Sequence, residues 1–130
     1  MLLQRLALRA ALSCALLAPA SAQAWEGIAS TYGREIFRIN KSGRTANGER
    51  FQPMSLTAAI WDVPFNTRLR VTHLATGRSI VVRVNDRGPH RRLGRLIDLS
   101  TGSCRALGAC GLARVRVDVV GSGRRVADAR

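Results

Sequence analysis

The sequence predicts a mainly β fold: one compact, closed barrel of short strands with one or two short helices. Three observations lead there. Alternation of period two recurs along the chain, with Val115, Val117 and Val119 facing one way and Arg114, Arg116 and Asp118 the other. Beyond residue 24, no helix-period stretch exceeds about ten residues. The chain has 130 residues, 46% of them hydrophobic, which is enough for one modest core and excludes a multidomain assembly. Several short strands in so small a domain avoid exposed edges best by closing into a barrel.

In chain order, strands are expected over residues 27–32 and 56–59, both short and bounded by turn residues. Residues 68–72 and 79–84 form a hairpin through a polar turn containing Thr76 and Gly77, with Ile80, Val82 and Val84 on one face of its second strand. A short strand follows at 96–98. Ser100 then caps a helix reaching about Leu107, and Gly108 stops it. The alternating run at 114–120 is the last strand. Residues 122–130 carry turn and charge residues without apolar periodicity and are expected to form a flexible basic tail.

Residues 1–24 are of a different composition. Arg5 and Arg9 precede an almost wholly apolar run, Pro19 breaks it, and Ala22-Gln23-Ala24 offers small residues for cleavage. This reads as a secretory signal peptide, too short for a membrane span, and leaves a barrel domain over 25–121. Cys14 follows a poor lipid-attachment sequence, so lipid anchoring is not expected. Loss of Arg5 and Arg9 lowers the net charge from +13 to +11. For an exported chain, that excess suits an anionic cell wall better than nucleic acid, and no aromatic residue interleaves the basic run at 87–95. A periplasmic or secreted monomer is expected. Cys104 and Cys110 would form a disulfide in an oxidising compartment. His73 and His90 lack ligand spacing, so neither metal nor cofactor is expected.

Only eight acidic residues are available for chemistry. Asp118, Asp128, Glu26 and Glu35 read as surface charges, and Asp62, before Val63-Pro64, as a turn residue. Asp86 follows an apolar strand and precedes Gly88-Pro89, so it either projects into a cleft or bonds turn amides and pairs with Arg87. Asp98, in Ile97-Asp98-Leu99-Ser100, either caps the helix or is a desolvated carboxyl with a raised pKa. Glu49 ends a glycine-bearing loop. Carboxyls converging on one groove would suit cleavage of a glycosidic bond, one giving a proton to the leaving oxygen and another stabilising positive charge.

The ordered segments Gly27-Ile28-Ala29-Ser30-Thr31-Tyr32-Gly33, Arg44-Thr45-Ala46-Asn47-Gly48-Glu49-Arg50-Phe51, Leu56-Thr57-Ala58-Ala59, Asn85-Asp86-Arg87-Gly88-Pro89 and Ile97-Asp98-Leu99-Ser100 resemble the rare lipoprotein A family. That resemblance implies a six-stranded double-psi β-barrel acting as an endolytic lytic transglycosylase. It would break the bond between N-acetylmuramic acid and N-acetylglucosamine in peptidoglycan glycan strands, leaving 1,6-anhydro ends, without a cofactor. Septal or cell-division proteins are the implied partners. By motif position, Asp86 is the first choice for acid/base and Glu49 for an assisting carboxylate, with Asp98 as rival; Tyr32, Arg87, Thr45 and Asn85 would bind substrate. Two positions depart from the pattern: Ile60 stands where the family usually has His, and Gln52 where an acid is frequent. Ile60 cannot transfer a proton, and the alternative reading is a peptidoglycan-binding barrel without turnover.

Overall fold

The computed structural model describes residues 24–35 and 40–122. The expected leader up to residue 23 and the tail from residue 123 lie outside them. Six strands, β1 (Ala24–Tyr32), β2 (Thr57–Ala59), β3 (Arg68–His73), β4 (Ser79–Asp86), β5 (Ile97–Ser100) and β6 (Ala113–Gly121), close in the order β1-β5-β2-β4-β3-β6. The pairs β1/β5 and β2/β4 are parallel and the other four antiparallel. This is the double-psi type of barrel that the resemblance implies, with one α-helix, α1 (Thr101–Leu107), and a 3-10 turn at Arg91–Leu93.

The alternating runs point their apolar members inward. Leu69 and Val71 of β3, Val82 and Val84 of β4, Ile97 and Leu99 of β5, and Val115 and Val117 of β6 are all buried. Each such side chain contributes about 1.5–3 kcal/mol relative to exposure, so these four strands carry most of the core. The hairpin forms as predicted, with Arg68 opposite Arg83 and Thr72 opposite Ser79. Helix α1 is also capped as predicted: the Ser100 hydroxyl accepts from the Ser103 amide at 3.1 Å, and Gly108 takes the left-handed C-terminal position. A disulfide joins Cys104 to Cys110 just past that end.

Strand ends were the less legible part. β1 begins at Ala24, three residues before the predicted start, because Ala24, Trp25 and Glu26 pair with Asp118, Val117 and Arg116 of the distant β6. Helix α1 packs so closely on the 52–55 loop that a Cβ at Gly102 would lie 2.1 Å from the Met54 carbonyl oxygen. Only glycine allows that approach.

Candidate active site

A register shift on β4 positions the first carboxylate. Ala58 pairs with Val84, but Ala59 pairs with Asp86, so Asn85 has no partner on β2. Val84 points into the core; without the shift Asp86 would share its face, and the extra residue turns Asp86 to the opposite one. Ala59 also pairs with Asp98 on β5, its other neighbour. Paired residues project to the same face, so Asp86 and Asp98 flank the Ala59 methyl across two strand spacings, about 10 Å in backbone terms. Gly88 lies above this floor: a Cβ there would be 3.5 Å from Asp98 Oδ2 and 3.6 Å from the Ala59 Cβ, at a φ of +151°. A Cβ there would touch the carboxylate in ordinary van der Waals contact, and the positive φ is what favours glycine.

The two aspartates have different surroundings. Asp86 Oδ1 accepts from the Ala46 and Arg87 amides, each at 2.9 Å. The turn-amide bonds foreseen for Asp86 therefore exist, yet the ion pair with Arg87 does not: that guanidinium donates to the Ile60 carbonyl at 3.0 Å and lies over the Phe65 ring. Asp98 is not the helix cap, since Ser100 fills that position. Burial raises the Asp98 pKa and the Asp86 charge adds to the rise, while a hydrogen bond from Ser30 and the nearby Arg95 oppose it.

Tyr32 lies beside this pair, two residues along β1 from Ser30, the partner of Asp98. It stacks on Phe51, ring centroids 5.3 Å apart, and the two form a small apolar cluster with Ala59. Its hydroxyl is buried without a hydrogen bond of good geometry. Burial pushes its pKa far up, Thr57 slightly offsets this, and the charges of Asp86 and Asp98 raise it further. The expected substrate contact at Tyr32 thus has its hydroxyl buried beside the two aspartates.

Glu49 belongs to a separate network. Its carboxylate takes a two-pronged bond from Arg83, at 2.5 and 2.8 Å, with Asn47 at 2.8 Å and Asn85 at 3.4 Å. Arg83 lowers its pKa most, to about 2. Such a carboxylate holds no proton at neutral pH and cannot act as a general acid. Two further expected substrate contacts are buried parts of the same scaffold. The Thr45 hydroxyl donates to Asn47 Oδ1 at 2.5 Å, and the Asn85 carbonyl accepts from the Asn47 amide at 3.2 Å. The sequence reading missed Arg83, and its only signal was a cation on the outward face of an alternating strand.

Comparison with known proteins places the chain. A family model described as "Lytic transglycolase" matches residues 24–119. The chain belongs to this family. It is 55% identical over 100 residues to a probable endolytic peptidoglycan transglycosylase RlpA of Nostoc sp., covering 75% of this chain and 26% of that protein. It is 51% identical to the protein of that name from Synechocystis sp., covering 72% and 28%. An endolytic peptidoglycan transglycosylase RlpA from Yersinia pestis is 44% identical, covering 72% and 25%. The chain thus spans about a quarter of the length of the curated relatives it matches.

Within this lytic transglycolase domain, Ile60 is a core residue, 3% exposed and packed among the barrel valines, while its amide donates to the Asp86 carbonyl at 3.3 Å. Its backbone thus bonds the strand that carries Asp86, and its side chain belongs to the core. Among the described residues, no group of three or more His, Cys, Asp and Glu is placed to hold a metal ion, and no helix is long and apolar enough to cross a membrane.

Proposed function

We propose that this domain is an endolytic peptidoglycan lytic transglycosylase, exported to the periplasm or beyond and acting on glycan strands between N-acetylmuramic acid and N-acetylglucosamine. Asp98 is the proton donor and Asp86 the charge beside it. The observation that carries this reading is the desolvated Asp98 carboxyl flanking Ala59 opposite Asp86. A raised pKa keeps a proton available for the leaving glycosidic oxygen, and a neighbouring carboxylate stabilises the positive charge developing at C1. The muramyl 6-hydroxyl then attacks C1 and returns its proton to Asp98, so the acid is regenerated, no water is consumed and a 1,6-anhydro end remains. The relatives' names and the family match support the substrate class.

This assignment prefers Asp98, the rival acid, to Asp86, the first choice, because Asp86 is tied to two amides while burial and the charge of Asp86 favour the neutral form of Asp98. Glu49 remains an assisting charge that fixes the 44–50 loop. One copy of the chain supplies every residue named, and septal proteins are its proposed partners. The test is incubation with purified sacculi and with strands stripped of stem peptides, followed by mass spectrometry for anhydro-muropeptides. Product from either supports the enzyme. No product, with the protein still pelleting with sacculi, leaves the wall-binding reading, which the apolar Ile60 favours.

A further inference from the structure

Below the 44–50 loop lies a cavity of about 490 Å³ lined by Arg34, Arg44, Arg50, Phe51 and Gln52, with no carboxylate among its described lining residues. Arg44 and Arg50 stand opposite each other in an isolated antiparallel bridge at the base of the loop. The ion pairs of the described residues involve Arg83, Arg91 and Arg116, so none neutralises Arg34, Arg44 or Arg50. Arg44 spends one donor on the Gly48 carbonyl at 2.9 Å, and a guanidinium has five. An adjoining cavity adds Arg105 to Arg34 and Gln52. Three guanidinium groups around one opening, none of them ion-paired among the described residues, repel one another, and a bound anion relieves that repulsion.

The cavity is joined to the proposed catalytic groove. Phe51 lines it on one side and stacks on Tyr32 on the other. Arg44 lies two residues from Ala46, whose amide holds Asp86, so their Cα atoms are at most about 7 Å apart. That span is shorter than a disaccharide, so a strand lying at Asp86 can reach both places.

We propose that Arg34, Arg44 and Arg50 form an anion subsite that binds a carboxylate carried by the glycan strand while the neighbouring sugars occupy the groove between Asp86 and Asp98. The inference rests on the peptidoglycan reading above. Two sources offer this chemistry: the lactyl carboxylate of a muramyl residue lacking its peptide, and the free carboxylates of a stem peptide.

The test measures binding of the purified protein to five probes: peptide-stripped strands, peptide-bearing strands, each of these with carboxyls converted to neutral amides, and an N-acetylglucosamine tetramer. Amidation is expected to weaken binding roughly tenfold or more, the equivalent of one charge-assisted hydrogen bond. Arg34→Gln and Arg50→Gln should each shrink that difference, leave binding of the tetramer unchanged, and reduce the salt dependence. A charge effect confined to stripped strands assigns the lactyl group, and one confined to peptide-bearing strands assigns the peptide. The proposal is overturned if amidation changes nothing, or if its effect persists undiminished in both variants. Anhydro product from wild-type protein with no charge effect sinks the subsite alone, whereas a charge effect without product from any strand sinks the enzyme reading alone.

Discussion

Glu49, in a loop, and Asp98, on strand β5, are carboxylates of one small barrel domain, and their surroundings have pushed them in opposite directions. Glu49, with 38% of its side chain exposed, meets the guanidinium of Arg83 and two amides, so its ionised form is favoured. Asp98 is half-buried beside another aspartate, and desolvation outweighs the help of Ser30 and Arg95. Partner supply, rather than residue type, separates them: one is held ionised in a loop, the other is pushed toward its neutral form.

The largest effect that could break this contrast is at Asp98. Asp98→Asn should lower anhydro-muropeptide formation by roughly 10²- to 10⁴-fold, the range for a general acid. The same substitution removes a carboxylate whose ionisation burial opposes, so the melting temperature should hold or rise at neutral pH. Undiminished turnover would return the acid role to Asp86. Asp86→Asn comes next, with product falling about 10²-fold. Its Oδ1 can still accept from Ala46 and Arg87, so circular dichroism should stay unchanged; a lowered melting point with full activity would make Asp86 a turn residue only.

Glu49→Gln sharpens the other side. It should cost about 1 kcal/mol in denaturant titration, a modest figure because solvent screens this partly exposed pair. The pH dependences have opposite signs. Since the Glu49 pKa is depressed to about 2 from 4.5, its contribution is complete above pH 4.5 and is lost as pH falls toward 2. Since that of Asp98 is raised above 3.8, its ionisation destabilises the fold as pH rises through the folded value. Acid titration of the two variants should therefore remove opposite slopes. The smallest effect is expected at Tyr32→Phe: the lost hydroxyl is buried without a hydrogen bond of good geometry, so stability should hold or rise slightly in denaturant titration. A fall in activity would show that the hydroxyl acts on the aspartates.

Much of the fold was legible because its signals are local. Alternation in 79–84 and 114–120, the Thr76-Gly77 turn, and the Ser100 and Gly108 caps all depend on residues within a few positions of one another. The candidate site was legible only as a set of acids. Asp86 remained open between cleft and turn, and Asp98 between cap and buried acid, because each choice rests on neighbours far along the chain: Ala46 for the first, Ser30 for the second. The surroundings of the expected substrate contacts were not legible either. Thr45 and Asn85 are buried and Arg87 is occupied by Ile60 and Phe65, since motif position says nothing of exposure.

By itself the sequence determined a mainly β barrel, its hairpin, its capped helix, and a chain rich in arginine with few acids. The tertiary structure decided which acids meet and in what state. A one-residue slip between Ala58 and Ala59 turns Asp86 to the face that Asp98 shares, and the folding of the 44–50 loop onto β4 pairs Glu49 with Arg83. The physical reason is that a pKa depends on desolvation and on charges a few ångströms away, and strand register, not spacing along the chain, sets those distances.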